Sequence, residues 1–300
     1  MNNHQNADDS SYVSASDSPS VYGNDTARRV FALTIAYDGT NYAGWQYQIN
    51  ATSVQQRIEE AAEIVLGTKS SIFGSGRTDS GVHAIGQVAR LVTTNWRHSP
   101  YKLIPAMNRR LPRDIAVRDI REALTDFDPV RSSTSKRYRY TIRSAPCDCP
   151  MSRLYHWHHP RPLLVEAMQE AANFLVGCHD FVAFQSLGSP RLTTVRTVRE
   201  LSIFKQENRD GFDLLIEIEA DGFLYNMVRN IIGALIEVGT DRFGPRWILE
   251  VLNSTTRAVS SGVSSGVSGR GVAGITAPAC GLCMLHVGYP PSLWINHQCE

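Results

Sequence analysis

The sequence lacks basic residues at its start: no Lys or Arg occurs in residues 1–27, which contain four Asp and many Ser and Asn. A secretion signal needs a basic n-region followed by an apolar run, and an organelle transit peptide needs Arg, so neither is predicted here. We expect residues 1–27 to form a disordered acidic tail. A run of 18 apolar residues is also missing, so we predict no membrane span and a cytoplasmic protein.

The six cysteines lack the arrangement of a zinc knuckle. Cys280 and Cys283 have the spacing of half a knuckle, but no second pair stands at knuckle distance, and Cys147 and Cys149 are one residue too close. In a long chain without an export signal, reduced thiols are the simplest expectation. We predict no metal site and expect Cys283 to pack within a strand.

Composition allows one large domain or two ordinary ones, because 300 residues with 42% apolar side chains can bury sizeable cores. All 30 Lys and Arg but only 25 of the 29 Asp and Glu lie after residue 27, which gives the body of the chain a net charge of +5. A modestly basic body permits a polyanionic partner such as RNA without requiring one.

A glycine-rich stretch, Gly74 to His83, presents three chemically active side chains. Its sequence is GSGRTDSGVH, with Asp79 placed two residues after Arg77 and four before His83. Three glycines indicate sharp bends or close backbone approach. A surface turn in which Asp79 caps the next element explains the pattern, as does a functional loop that holds an acid, a guanidinium and an imidazole together.

The stretch does not fit either common phosphate loop. A dinucleotide-binding fingerprint would need glycine where Asp79 stands, and a carboxylate there would repel a pyrophosphate. The spacing of Gly76 and Gly81 suits a P-loop, but Val82 and His83 replace the required Lys and Ser or Thr. A nucleotide-dependent enzyme is therefore disfavoured.

Hydrophobic periodicity predicts an α+β unit in residues 28–127. We expect strands over 30–37, 87–93 and 115–120, a helix over 54–66 capped by Ser53 and ended by Gly67, and a second helix over 100–108.

Residues 128–290 predict a second such unit. Strands are expected over 137–143, 195–204, 212–220 and 282–287, and helices over 163–176, 223–238 and 247–252. The Ser/Gly-rich segment 258–274 predicts a flexible insertion, and 291–300 a tail. Along 137–143, Tyr138 shares one face with Tyr140, while Arg137 and Arg139 share the other, which a half-buried strand with a solvated basic face would explain.

Four ordered motifs then make the chain resemble the tRNA pseudouridine synthase A family, which acts at positions 38, 39 and 40 of the tRNA anticodon arm. They are GRTDSGVH at 76–83, RYRY at 137–140, MVRNIIG at 227–233 and TAPACGL at 276–282, and the resemblance covers residues 30–289. It implies an α+β pseudouridine synthase fold: two related α+β subdomains that share a central, mainly antiparallel sheet with flanking helices. It also implies a homodimer in which one tRNA contacts both subunits, with no cofactor and no metal.

Residue by residue, the resemblance makes Asp79 the catalytic aspartate, attacking the target nucleotide, and Arg229 the arginine that pairs with it. Tyr138 matches the tyrosine that stacks on the target base, Arg77 the arginine that helps displace that base, and Leu282 the apolar residue that closes the pocket. The basic face of Arg137 and Arg139 is expected to follow RNA phosphates, and His83 is included among the substrate-binding candidates. A non-catalytic RNA-binding α+β protein is the alternative, although it would have no need of Asp79.

Overall fold

A computed structural model describes residues 28–186, 193–260 and 273–295. The strands are β1 (Arg29–Tyr37), β2 (Phe73–Gly74), β3 (His83–Thr93), β4 (Ile115–Ala123), β5 (Ser135–Ser144), β6 (Trp157–His159), β7 (Gly177–Asp180), β8 (Val195–Asn208), β9 (Gly211–Ala220) and β10 (Leu282–Gly288). The helices are α1 (Val54–Leu66), α2 (Pro100–Asn108), α3 (Val165–Asn173), α4 (Met227–Gly239) and α5 (Trp247–Ser260).

One sheet of ten strands runs through the molecule. Its main order is β4-β1-β3-β10-β5-β9-β8-β7, and the short strands β2 and β6 pair with β3 and β5. Among the described residues, only the β3–β10 and β5–β6 pairs are parallel. The last strand, β10, joins the halves, because it pairs with β3 on one edge and with β5 on the other. The predicted α+β class with a mainly antiparallel shared sheet is confirmed.

Helix α1 forms as its sequence predicts. Ser53 has an extended backbone and its side chain accepts a hydrogen bond from the Gln56 N–H, while Gly67 ends the helix with a φ of 72°. Val54, Ile58 and the neighbouring apolar positions at helical spacing are buried against the sheet core. Capping and periodicity therefore act together to fix both ends of this helix.

Several boundaries differ from the prediction for local reasons. Helix α4 begins at Met227 rather than residue 223, because Asn226 has a left-handed backbone with a φ of 59°. Helix α3 ends at Asn173, since the N–H groups of Phe174 and Leu175 bond to carbonyls three residues back in a tighter turn. Strand β3 starts at His83, four residues early, and β8 continues four residues beyond 204.

The segments expected to be irregular are only partly described. Helix α5 continues to Ser260 and so includes the first residues of the predicted insertion, while residues 261–272 lie outside the described range, as do 1–27 and 296–300. The predicted tail is corrected at its start: Leu124 N–H donates to Leu293 O and Ile295 N–H to Glu122 O. Residues 291–295 thus pack along the end of β4.

No helix within the described ranges is long and apolar enough to cross a membrane. The most buried helix is α4, where apolar and small residues cover almost the whole surface. It packs against α3 and against the segment that leads into β10. The N–H of Ala277 in that segment donates to Arg229 O of α4 at 3.1 Å, so α4 sets the position of the chain entering the central strand.

Gly233 makes this packing possible, because a Cβ atom there would overlap the carbonyl oxygen of Ile275. Glycine to alanine ordinarily stabilises a helix interior. We expect Gly233→Ala to lower the free energy of unfolding by about 2 kcal/mol instead, as overpacking against backbone does. Urea unfolding measures this. Gly244→Ala is the control, since a Cβ there would have no atom within 4 Å, and a loss as large as that of Gly233→Ala would contradict the account.

Candidate active site

The loop that carries Asp79 joins β2 to β3 and is held from both sides. On one side, Ser75 N–H donates to Val88 O at 2.8 Å, Gln87 Nε2 donates to Gly76 O at 2.8 Å and Lys136 Nζ donates to Ser75 O at 2.7 Å. These bonds attach the start of the loop to β3 and β5. The loop backbone is therefore fixed relative to both halves of the sheet.

On the other side, the end of β1 and the turn that follows it form hydrogen bonds with the residues next to Asp79. Trp45 N–H donates to Thr78 O at 3.1 Å, and the hydroxyls of Tyr37 and Thr78 lie 2.8 Å apart. Ser80 Oγ donates to Tyr42 O at 3.0 Å. Each neighbour of Asp79 thus bonds to the 37–45 region, which leaves the carboxylate directed away from these contacts.

The three glycines of the loop have unequal roles. A Cβ at Gly74 would lie 2.5 Å from the Trp45 ring, and Gly81 has a φ of 79°, so both positions require glycine. A Cβ at Gly76 would make only ordinary contacts. The prediction of bends and close approaches is confirmed at two of the three.

Asp79 forms an ion pair with Arg229, which stands in the first turn of α4. Arg229 Nη1 lies 3.2 Å from Asp79 Oδ2, and the two side chains are 18% and 26% exposed. Arg229 is held in place, because its Nε donates to Ala277 O at 2.7 Å and Nη1 also donates to Asn226 Oδ1 at 2.9 Å. The predicted pair is present, and it joins the two halves of the chain.

Tyr138 lies on β5 opposite Met284 of β10 and Ile218 of β9. Its ring packs perpendicular to that of Phe223, with 5.1 Å between the centroids and an interplanar angle of 88°. Burial raises the pKa of Tyr138, and the nearby Tyr37 and Asp79 raise it further. The phenol therefore stays protonated at neutral pH and presents an uncharged ring.

Five of the predicted site residues come together in one cleft of about 1730 Å³: Asp79, Arg229, Tyr138, Arg77 and Leu282. Arg77 is exposed, whereas Leu282, the first residue of β10, is buried. Small-molecule pockets usually measure about 300–1,000 Å³. The size of this cleft is more suited to part of a macromolecule.

The structure places His83 at the buried start of β3, and it is not among the residues that line this cleft. Its Nδ1 accepts a hydrogen bond from Gly39 N–H at 3.1 Å, and Nε2 lies 3.0 Å from Leu154 O and 3.2 Å from Cys280 O. Nδ1 also lies 3.1 Å from Asp38 Oδ1, so the ring links β3 to three neighbouring segments. Both ring nitrogens have protein partners, and the substrate-binding role of His83 stays a prediction.

Arg137 and Arg139 lie on the sheet face opposite Tyr138 and are paired with carboxylates. Arg137 contacts Glu200 at 2.5 Å, Glu217 at 3.1 Å and Glu219 at 2.9 Å, and Arg139 contacts Glu217 at 2.5 Å. The β5–β9 register places Glu219 directly opposite Arg137 and Glu217 directly opposite Arg139, while Glu200 lies on β8 next to Glu219. The expected basic face is therefore a cross-strand ion-pair network with little free positive charge.

Among the cleft residues that the sequence analysis did not predict are Lys136, Phe223 and Asn226. Lys136 stands two residues before Tyr138, so strand alternation could have placed it on the same face. The sequence pattern includes Phe223 in the helix predicted over 223–238, and so gives no indication of its contact with Tyr138. Asn226 carries the left-handed backbone that begins α4, a conformation that Asn tolerates but that no sequence pattern indicated.

Cys283, which belongs to the pair with half-knuckle spacing, lies in a strand as predicted. That strand is β10, and burial raises the pKa of the Cys283 thiol to about 11. In the part of the chain that the structure describes, no group of three His, Cys, Asp or Glu side chains is placed to hold a metal ion.

Comparison with known proteins matches the chain to one family. A family profile described as tRNA pseudouridine synthase matches residues 33–129 and 171–290. The tRNA pseudouridine synthase A of Pelobacter propionicus is 42% identical over 262 residues, covering 87% of this chain and 100% of that protein. The proteins of the same name from Geotalea uraniireducens and Chlamydia muridarum are 42% and 39% identical over 87% of this chain, and cover 100% and 93% of their own lengths.

The ion-pair network that Arg137 and Arg139 form with glutamates of β8 and β9 generates a stability prediction. Partial burial alone would raise the pKa of Glu217, but hydrogen bonds from Arg139 and Arg137 outweigh it and lower the pKa; the same balance lowers that of Glu219. Their stabilising effect is present above the ordinary glutamate pKa and is lost as the pH falls through the lowered values. We expect Arg137→Ala to lower the free energy of unfolding by about 1–3 kcal/mol at pH 7.

Urea unfolding at a series of pH values measures this effect. The difference between wild type and Arg137→Ala should shrink as the pH falls below the ordinary glutamate pKa of about 4.3 and through the lowered values. Arg209→Ala, at an exposed hairpin turn, is the control and should change stability little. A difference that does not depend on pH would contradict the pairing.

Proposed function

The chain belongs to the tRNA pseudouridine synthase family, isomerases that convert uridine to pseudouridine in tRNA, and we propose that it modifies positions 38, 39 and 40 of the anticodon arm with Asp79 as its catalytic carboxylate. The observation that carries this proposal is the Asp79–Arg229 pair inside the cleft that Tyr138 also lines. Both charged side chains are partly exposed there, so a substrate can reach them.

The reaction matches what this pair can supply. The N1–C1′ bond of uridine breaks, the base rotates, a C5–C1′ bond forms, the C5 proton is lost and N1 gains a proton. No electron or external group is consumed. A carboxylate serves such a sequence as the covalent nucleophile, on sugar or base, or as the base that removes a proton, and each role needs its ionised form. The guanidinium of Arg229 favours that form and orients the carboxylate.

The cleft also suits a base that has left its stack. Extrusion of a nucleotide costs a few kcal/mol, which contacts with the enzyme must offset. The Tyr138 ring packs perpendicular to the Phe223 ring, and in our proposal Tyr138 stacks on the target base. Arg77 at the exposed part of the loop would take the place of the displaced base, and Leu282 would close the pocket.

A homodimer that binds one tRNA across both subunits is part of the same proposal. Asp79, Arg229, Tyr138 and Leu282 all belong to one chain and line one cleft. A partner subunit would therefore supply contacts to the remainder of the tRNA rather than reacting groups.

Asp79→Asn tests the proposed role directly. We expect pseudouridine formation to fall by at least about a thousandfold, the scale on which loss of a nucleophile acts, while tRNA affinity stays nearly unchanged because the amide has almost the same size. Asp126→Asn, which changes an exposed carboxylate of the same cleft, is the control. Turnover by Asp79→Asn comparable to that of the control would remove Asp79 from the mechanism.

Arg229 provides a graded test of the pair. Arg229→Met removes the charge and the bonds to Ala277 and Asn226, so we expect kcat to fall by about a hundredfold, as for other misplaced catalytic groups. Arg229→Lys should restore part of the rate, because an ammonium group keeps the charge but not the planar fork. Single-turnover kinetics at saturating tRNA give these rates. Full activity of Arg229→Met would mean that Asp79 acts without this partner.

A further inference from the structure

A cluster of exposed arginines lies outside the cleft, in the turn between α2 and β4. Arg109, Arg110 and Arg113 are all exposed. Within the described part of the chain, no carboxylate lies within ion-pair distance of any of the three. Arg137 and Arg139 differ from them, because their charges are paired with glutamates of neighbouring strands. The turn therefore carries unpaired positive charge, whereas the sheet face of Arg137 and Arg139 does not.

The turn is rigid, which suits it to binding. Leu111 is buried and anchors it, while the N–H groups of Arg110 and Leu111 both bond to Met107 O. Asn108 bonds through its side chain to both the N–H and the C=O of Val117 at 2.8 Å. The arginine backbones are thus fixed by α2 and β4, and only their side chains lose freedom when they meet a ligand.

A groove of about 510 Å³ runs beside this turn, against the exposed face of α1. Its charged lining residues are Arg57, Glu60 and Arg110, and Asn41 and Thr52 contribute polar groups. Arg57 is paired with Glu60 at 2.9 Å. The charge of Arg110 is therefore in excess, and the groove presents a net positive surface.

The groove and the catalytic cleft lie on two sides of the same loop, residues 41–52. Asn41 and Thr52 line the groove, whereas Trp45 and Gln46 line the cleft. The loop is closed at its base by the bond from Ala43 N–H to Thr52 O at 2.9 Å. A substrate that fills the cleft and extends beyond it can pass over this narrow loop into the groove.

We propose that this groove and the arginines of the α2–β4 turn bind the phosphate backbone of the tRNA whose uridine occupies the cleft. The inference rests on the proposed function, which supplies a long polyanion at the neighbouring site. Guanidinium groups bind phosphate oxygens with paired N–H donors, and such contacts position a nucleic acid without reading its sequence. Arg110 and Arg113 are therefore anchoring residues that raise affinity and take no part in bond breaking.

The test compares two double variants of the full-length protein. Arg110→Gln with Arg113→Gln removes two charges from the turn, and Arg209→Gln with Arg246→Gln removes two equally exposed charges elsewhere. Dissociation constants for unmodified tRNA are measured over a range of salt concentrations. We expect the first variant alone to bind roughly tenfold more weakly at low salt, with a log-log salt slope smaller by about 1.4–1.8, as for two lost phosphate contacts.

Steady-state kinetics separate this inference from the proposed function. The loss should appear in KM rather than in kcat, because the anchoring contacts are remote from Asp79. If the two double variants share the same affinity and salt slope, the groove does not bind tRNA and its arginines serve another partner. If wild type binds tRNA but forms no pseudouridine, the proposed function fails, whereas the anchoring inference is still decided by the two dissociation constants.

Discussion

The ion pair between Asp79 and Arg229 is the interaction on which the arrangement of the site depends. The two residues are 150 positions apart in the chain and come from opposite halves of the sheet. Arg229 reaches Asp79 because Asn226 begins α4 at the right point and because Ala277 O fixes the guanidinium. That carbonyl is available only because Gly233 lets the incoming segment of β10 lie against the helix. Packing far from the chemistry thus sets the geometry of two charges.

Charge in this protein is distributed by pairing rather than by composition. The body of the chain has a small excess of basic residues. In the most basic strand, β5, Arg137 and Arg139 are ion-paired with glutamates of β8 and β9. Exposed arginines remain at several places on the surface, among them Arg77 in the cleft and the α2–β4 turn. The path proposed for the polyanion runs from that turn across the loop 41–52 to Asp79.

Local patterns predicted the elements whose causes are local. Ser53 and Gly67 defined α1, and the glycines around Asp79 identified the bends of the central loop. The contact between Asp79 and Arg229 came from the family resemblance alone, since no spacing rule relates residues so far apart. The surroundings of Arg137 and His83 could not be predicted, because their partners, Glu219 and Gly39, are brought near only by the strand register and by the fold of neighbouring loops.

The most direct test of the account is to incubate the protein with unmodified tRNA, without any added cofactor, and to map pseudouridine at single-nucleotide resolution. The account predicts pseudouridine at positions 38, 39 and 40 wherever uridine occurs there, and at no site outside the anticodon arm. Modification confined to other positions would contradict the proposed specificity. Absence of pseudouridine throughout the tRNA would contradict the catalytic role of the cleft itself.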